Sequence, residues 1–168
     1  MSIIMAPART GPGAVPLVSY AQYKSADAIV QGSLLIFDTG EYALAGADPA
    51  LIAGVALQAK NTAPGYDAAN SPVPITGREQ KIAIAIADKN STFMATLTNG
   101  SATRIAPVIG DVGAQYGVTA YSGVWTVDQA KTAADARVQI VGYSLIGPTA
   151  GVGVVFFKFL TNHLYGDA

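Results

Sequence analysis

This sequence predicts an all-β fold, a small β-barrel or sandwich with an extended N-terminal arm and only short helical turns. Three observations carry the expectation. Apolar residues alternate with period two, most clearly from Lys81 to Ala87, where Ile82, Ile84 and Ile86 point one way and Ala83, Ala85 and Ala87 the other. Glycine turns recur at near-regular spacing, and no stretch carries the pattern of a long amphipathic helix.

The elements follow in chain order. Residues 1–19 hold Pro7, Pro12 and Pro16 with Gly11 and Gly13, which remove amide donors and disfavour helix, so they read as an extended arm. Its apolar Ile3, Ile4 and Met5 pack either on the chain's own body or on a neighbour. Residues 20–160 read as one β domain and residues 161–168 as a tail. Ser33 to Phe37 is a buried strand, Asp38-Thr39-Gly40 a turn, and Glu41 to Ala45 the returning strand. Pro49 to Ile52 is expected as a single helical turn. Ala53 to Ala59 is a strand whose inner Gly54 suggests a bulge or a close backbone approach. Residues 60–77 form a long loop suited to reaching a partner.

After the Ile/Ala strand, Phe93 to Thr98 alternates again. Asn99-Gly100 offers the positive φ values of a tight hairpin, with Ala102 to Ala106 returning. Asp111 to Tyr116 reads as a short helical turn. Val118 to Tyr121 and Val124 to Asp128 form a hairpin around Ser122-Gly123. Thr132 to Arg137 is a loop with at most one turn, because so short a helix does not stand alone. Val138 to Leu145 is a strand, Gly147 to Gly151 a turn, and Val152 to Leu160 the closing strand.

Two stretches share an order. In Gly40 to Leu57 and Gly123 to Leu145, a glycine precedes an aromatic by two positions (Tyr42, Trp125) and an aliphatic follows two later (Leu44, Val127). An Ala-Asp loop then leads to a strand with an inner glycine (Gly54, Gly142), and the second stretch has five more residues between its glycines. They read as one β unit used twice. The alternative, that two hairpins merely share glycine turns, stays open here.

Charged residues are 12% of the 168, about half the usual share, while 51% are hydrophobic and much of that is alanine. Such a surface suits a protein covered by neighbours. The net charge of −1 and the absence of any basic run give no support to direct nucleic-acid binding or to polybasic membrane attachment. Without cysteine there are no disulfides or thiolate metal sites. The first residues lack the pattern of a signal peptide, and the longest apolar run is too short to span a bilayer, so a soluble chain is expected.

Chemistry is thin. The sole histidine, His163, has no nucleophile motif beside it and cannot alone build a common zinc site; it reads as a tail residue. The acids Asp38, Glu41, Asp48, Asp128 and Asp135 fall in turns, where aspartate serves the backbone. Gly110-Asp111-Val112-Gly113 lacks the lysine of a phosphate loop. No cofactor and no metal are expected, and no enzyme. Tyr42, Tyr116, Tyr121 and Trp125 could line a sugar platform, or pack across strands in a β core.

At Gly123-Val124-Trp125-Thr126-Val127-Asp128 and Val138-Gln139-Ile140-Val141-Gly142-Tyr143-Ser144-Leu145, the chain resembles bacteriophage capsid decoration proteins, also called cement or head-stabilising proteins. The segments Val30 to Ile36 and Ile52 to Leu57 are similar to strands of such small β-barrel proteins, and the resemblance covers roughly residues 25–145. It implies a body, commonly a homotrimer, seated on the outside of a virion and made in the host cytoplasm. Its partner would be the major capsid protein, against which the arm orders, with Ile3, Ile4, Met5, Arg9, Pro12 and Val15 as contacts. An arm of this kind can add a strand to a sheet edge, and a trimer multiplies modest contacts. Tyr42, Tyr121 and Trp125 are the expected oligomer or aromatic surface. The alternatives are a carbohydrate-binding or fibre module and another shell or tail component. Removing residues 2–16 is expected to leave the body folded but to weaken assembly.

Overall fold

The fold is all-β. The computed structural model describes residues 5–8, 15–24, 27–59, 81–145 and 153–165. A short arm strand, β1 (Ala6–Pro7), precedes β2 (Val18–Gln22), β3 (Leu34–Asp38), β4 (Glu41–Leu44), β5 (Gly54–Ala56) and β6 (Lys81–Ile86). Then come β7 (Phe93–Thr98), β8 (Arg104–Ile105), β9 (Gln115–Tyr121), β10 (Val124–Asp128), β11 (Val138–Leu145) and β12 (Gly153–Phe159). The helical pieces among the described residues are 3-10 turns at Ile109–Asp111, Ala133–Asp135 and Thr161–His163. Apart from β1, two sheets divide the strands in sequence order. The first runs β2-β6-β5-β3-β4; the second holds β1 and β7 to β12.

The two sheets are the same object built twice. In each, a hairpin (β3–β4, β9–β10) is followed by a strand that returns to the other edge of its first arm (β5, β11). The next strand (β6, β12) pairs with that one and with the opening strand (β2, β7). The opening strand then meets the second arm of the hairpin in parallel, Tyr23 with Tyr42 and Leu97 with Val127. Register agrees residue by residue. Leu35 opposite Gly54 matches Tyr116 opposite Val138, Ala56 opposite Ile84 matches Ile140 opposite Phe157, and Tyr20 opposite Ala83 matches Met94 opposite Phe156.

The turns repeat as well. Gly32 N–H donates to the Ala56 carbonyl at 2.8 Å, as Gly113 N–H does to Ile140 at 2.8 Å. Positive φ recurs at Gly32 and Gly113, Thr39 and Ser122, Gly40 and Gly123, and Asp48 and Ala133; Gly100 alone among the described residues has no counterpart. Thr39-Gly40 and Ser122-Gly123 each turn a two-residue hairpin, for which positive φ at both positions matches the strand twist.

The repeated unit expected from the glycines is therefore present, with a different alignment past the hairpin. The separation of equivalent residues grows from 81 (Leu35 to Tyr116) to 85 (Tyr42 to Val127), so the second hairpin is four residues longer, two on each arm. Tyr42 thus matches Val127 rather than Trp125. Gly54 matches Val138, while Gly142 lies beyond a bulge after Ile140. Gly54 is needed because β5 crosses β6 closely: a Cβ there would stand 2.5 Å from the Ala85 carbonyl oxygen.

Packing follows the duplication. Tyr23, Leu35, Ala56, Ile82 and Ile84 cluster inside the first sheet. Their equivalents Leu97, Tyr116, Ile140, Val155 and Phe157 sit in the larger cluster of the second. The outer faces differ. Leu34, Val55 and Ala85 of the first sheet join that larger cluster and are fully buried, whereas their counterparts Gln115, Gln139 and Lys158 are exposed or half-exposed. The small alanine face of the Ile/Ala strand thus lies against the second half. Polar contacts close the joint: the Arg137 guanidinium donates to the carbonyls of Pro49 and Asp48, and the Lys131 ammonium sits 2.7 Å from the Asp48 carboxylate.

Several local expectations change. Asn99-Gly100 does not make a tight hairpin: Thr98 pairs with Arg104, because Gly100 N–H is held by the Asp128 carboxylate and the chain swings wide before returning. Pro49 to Ile52 forms no helical turn, since Ile52 pairs with Leu164. The turn expected at Asp111 to Tyr116 lies earlier, and Gln115 already belongs to β9. Residues 161–165 are no free tail: Leu164 is buried. The 60–77 loop and the 147–151 turn lie outside the described residues.

The arm is partly core. Met5 is 1% exposed within the larger cluster, and β1 pairs antiparallel with β7. Deleting residues 2–16 would remove that side chain, so the expectation of an untouched body does not fit. Met5→Ala should lower unfolding free energy by about 2–5 kcal/mol, read from the urea midpoint. Gly54→Ala should cost about 1–3 kcal/mol by overpacking the β5–β6 crossing; an unchanged midpoint in either variant would contradict these placements.

Candidate functional surface

The loop between β8 and β9 carries apolar side chains outward on a fixed base. Val108, Ile109 and Val112 are exposed, Ile109 at 76%. Asp111, buried in the same loop, holds it from beneath. Its Oδ2 accepts Val108 N–H at 2.7 Å, and its Oδ1 accepts the Tyr116 hydroxyl at 2.8 Å and Gln129 Nε2 at 3.0 Å. Pro107 is buried at the loop's base; a Cβ on Gly153 would stand 2.6 Å from its ring, so the two fit only as proline against glycine. An apolar tip ordered before binding loses little entropy when it docks.

A second apolar strip runs along β2 and the residues before it. Leu17 and Tyr20 are 71% and 69% exposed, and Val15 and Val18 accompany them. The segment from Val15 to Tyr23 contains no charged residue. Contiguous exposed apolar surface of this kind marks interaction sites.

The residues expected from sequence fall in several places. Ile3, Ile4, Arg9 and Pro12 lie outside the described residues. Val15 is exposed on the strip, whereas Met5 is spent in the chain's own core and presents nothing to a partner. Tyr42, Tyr121 and Trp125 do not form one exposed platform. Tyr42 packs edge-on against Phe37 with ring centroids 5.4 Å apart. Tyr121 donates its hydroxyl to Asp128 at 3.0 Å. Trp125, 4% exposed on the lengthened hairpin, faces a cavity it shares with Val30, Leu44 and Ala45 of the first half. The burial of Trp125 at the joint corrects its expected place on the surface. Sequence reasoning missed Leu17, Tyr20 and Ile109. The signal for Ile109 was an aliphatic pair, Val108-Ile109, set between Pro107 and Gly110-Asp111, where turn residues forbid a buried strand.

Two acids, Asp128 and Asp88, serve as acceptors for backbone and hydroxyl donors. Asp128 is buried and accepts Gly100 N–H (2.7 Å), Ala130 N–H (3.1 Å), and the hydroxyls of Tyr121 (3.0 Å) and Thr119 (3.2 Å). Burial pushes its carboxyl upward, but these donors together outweigh burial and hold it below the ordinary value. Asp88, between β6 and β7, is likewise held low: burial raises it, while Ser91 Oγ and the N–H groups of Asn90 and Ser91 bring it down. His163 donates Nδ1–H to the Ala50 carbonyl at 2.8 Å, tying the C-terminal turn to the first half. Among the described residues no group of three His, Cys, Asp or Glu could hold a metal, and no helix is long and apolar enough to cross a membrane.

Comparison with protein-family models, with curated proteins and with solved structures finds no match.

A carboxylate held low in the folded state contributes stability that is complete above its unfolded pKa, near 4, and is lost as pH falls through the lower folded value. Unfolding free energy should therefore decline below about pH 4. Asp128→Asn should cost about 1–3 kcal/mol at neutral pH and flatten that decline, leaving the part due to Asp88. Urea titrations between neutral and acidic pH check both; an equally steep acid limb in the variant would refute the role given to Asp128.

Proposed function

We propose that this chain is a structural virion protein of the bacteriophage capsid decoration kind, which binds the outer surface of the capsid and clamps neighbouring major capsid subunits. In this reading the two closed rings of strands are small β-barrels, and the chain works by contact rather than by chemistry. The observation that carries it is the rigid apolar tip at Val108, Ile109 and Val112, presented by a buried aspartate whose hydrogen bonds serve only to shape the loop. A clamp needs this combination. Apolar area supplies the affinity, and a preformed loop spares it the ordering cost that a mobile one would bear.

The body behind the tip suits the task. The buried joint and the contacts of Arg137 and Lys131 with Asp48 and Pro49 link the two halves. The few charges of the whole chain agree with a surface largely covered in the assembled particle.

Cosedimentation with capsids of the encoding phage, stripped of their outer proteins, tests this reading. The wild-type chain should pellet with the shells and raise their thermal disruption temperature. Ile109→Asp should weaken binding about tenfold or more, as expected from burying one large aliphatic side chain, while leaving the circular dichroism melt unchanged. A wild-type chain that ignores the shells, or a variant that binds as well, would remove the proposal.

A further inference from the structure

We infer that two copies of this chain join edge to edge through β2, about a two-fold axis at Ser19. The inference goes beyond the capsid reading, because it concerns a contact between identical chains.

It starts from the duplication. The edge of β7 away from β12 is covered by the arm: Ala6 pairs with Met94, Pro7 with Phe93, and Ala8 N–H donates to the Thr92 carbonyl at 2.9 Å. By the register already given, Thr92 and Met94 correspond to Val18 and Tyr20. That matching edge of β2 has no strand on it among the described residues. The odd-numbered residues face β6, as the bond from Ile86 N–H to the Leu17 carbonyl shows, and the even-numbered ones face away. The open edge therefore offers the N–H and C=O of Val18 and Tyr20. Farther along, the Tyr23–Tyr42 bridge closes it; at the other end Pro16 has no N–H to give.

Edges of this type are normally blunted by lysine, proline or a bulge. Here the stretch between Pro16 and Lys24 is uncharged and carries exposed Leu17, Val18 and Tyr20. The short open span fits a copy of itself. Antiparallel pairing about Ser19 sets Val18 of one chain opposite Tyr20 of the other, each pair exchanging both of its backbone hydrogen bonds. No like charges meet. Opposed residues share a face of the sheet, so each Tyr20 ring is carried to the side of Val18. Beside Val18 a cleft of about 370 Å³ opens, bordered by Ala6, Pro7, Val15, Pro16 and Met94 and reaching to Gln31 and Leu57 beyond β6. Ring and cleft are both present on each chain, which is the self-complementarity a two-fold interface requires. The second copy needs no exchange of arms, since each β1 stays on its own β7.

Ser19 and its symmetry mate would form a non-hydrogen-bonded pair, with Cα atoms about 4.5 Å apart, within the range a disulfide spans. The chain has no cysteine, so Ser19→Cys introduces the sole thiol. Under mild oxidation it should run as a covalent dimer, while Thr103→Cys, on an exposed loop, should not. Analytical ultracentrifugation should give a dimer for the wild type. Tyr20→Pro removes an outward N–H without touching the β6 ladder and should raise the dissociation constant about 100-fold or more; Tyr20→Lys, which keeps the backbone, should also weaken the dimer. Ile109→Asp should leave the dimer intact, so loss of capsid binding and loss of pairing are separable. A monomer at millimolar concentration, a trimer, or a dimer in which Ser19→Cys fails to cross-link would each overturn the inference.

Discussion

The structure depends on covering the outer face of the first sheet. A five-stranded sheet packs Tyr23, Leu35, Ala56, Ile82 and Ile84 into a small core, and small units bury too little of their surface to be secure alone. Leu34, Val55 and Ala85 lie on its other face and are as completely buried. They join the large cluster of the second sheet, which lies against them. The duplication is thus more than a record of how the strands are connected; it supplies the surface that the first copy lacks.

The halves have diverged where that role requires it. At Gln115, Gln139 and Lys158 the second sheet carries polar residues in place of the first sheet's buried apolar ones. The lengthened hairpin of the second half has the complementary purpose. Its added residues bring Trp125 over to Val30, Leu44 and Ala45, placing the largest side chain of the protein at the seam. Arg137 and Lys131 then bind the carbonyls and the partly exposed carboxylate of the Asp48-Pro49 turn. Asp111 and Asp128 do the same for loops within the second half, each spending its oxygens on several donors.

What the sequence displayed was local. Period-two alternation at Lys81 to Ala87 and Phe93 to Thr98 and the Thr39-Gly40 and Ser122-Gly123 turns were legible, because each depends on a few adjacent side chains. The repeat was legible at the turns and blurred beyond them. Few residues at equivalent positions are alike: Leu35 stands for Tyr116, Ala56 for Ile140 and Ile84 for Phe157, since a core position asks for apolar volume and not for identity. Only strand register identifies these pairs. Trp125 showed the limit of aromatic patterning, because a tryptophan in a hairpin looks alike whether its ring meets solvent or a neighbouring sheet. Met5 showed the same for the arm: an extended apolar segment does not announce which sheet edge it will cover. Long-range acceptors such as Asp128, which reaches back to Gly100 and spoils a well-marked hairpin, leave no signal in either segment.

The arm settles how the two copies of the unit differ at their open edges. In both sheets the opening strand meets the hairpin's second arm in parallel at one end; its other end lies at Thr92 to Met94 in the second sheet and at Val18 to Tyr20 in the first. A single N-terminal arm can cover one of them, and it covers the second ring's, with Met5 anchored in the large cluster beneath. Among the described residues no strand covers the outer edge of the first sheet's opening strand, and exposed Leu17 and Tyr20 lie along that edge, where apolar burial and backbone pairing would reinforce one another. Had the edge merely been tolerated, a charge among residues 15–23 would have sufficed to guard it. On the inferred two-fold contact, the uncharged composition of residues 15–23 admits a second strand, and the pseudo-equivalent edge is the precedent within the chain: an extended strand laid antiparallel, with small apolar side chains at its border.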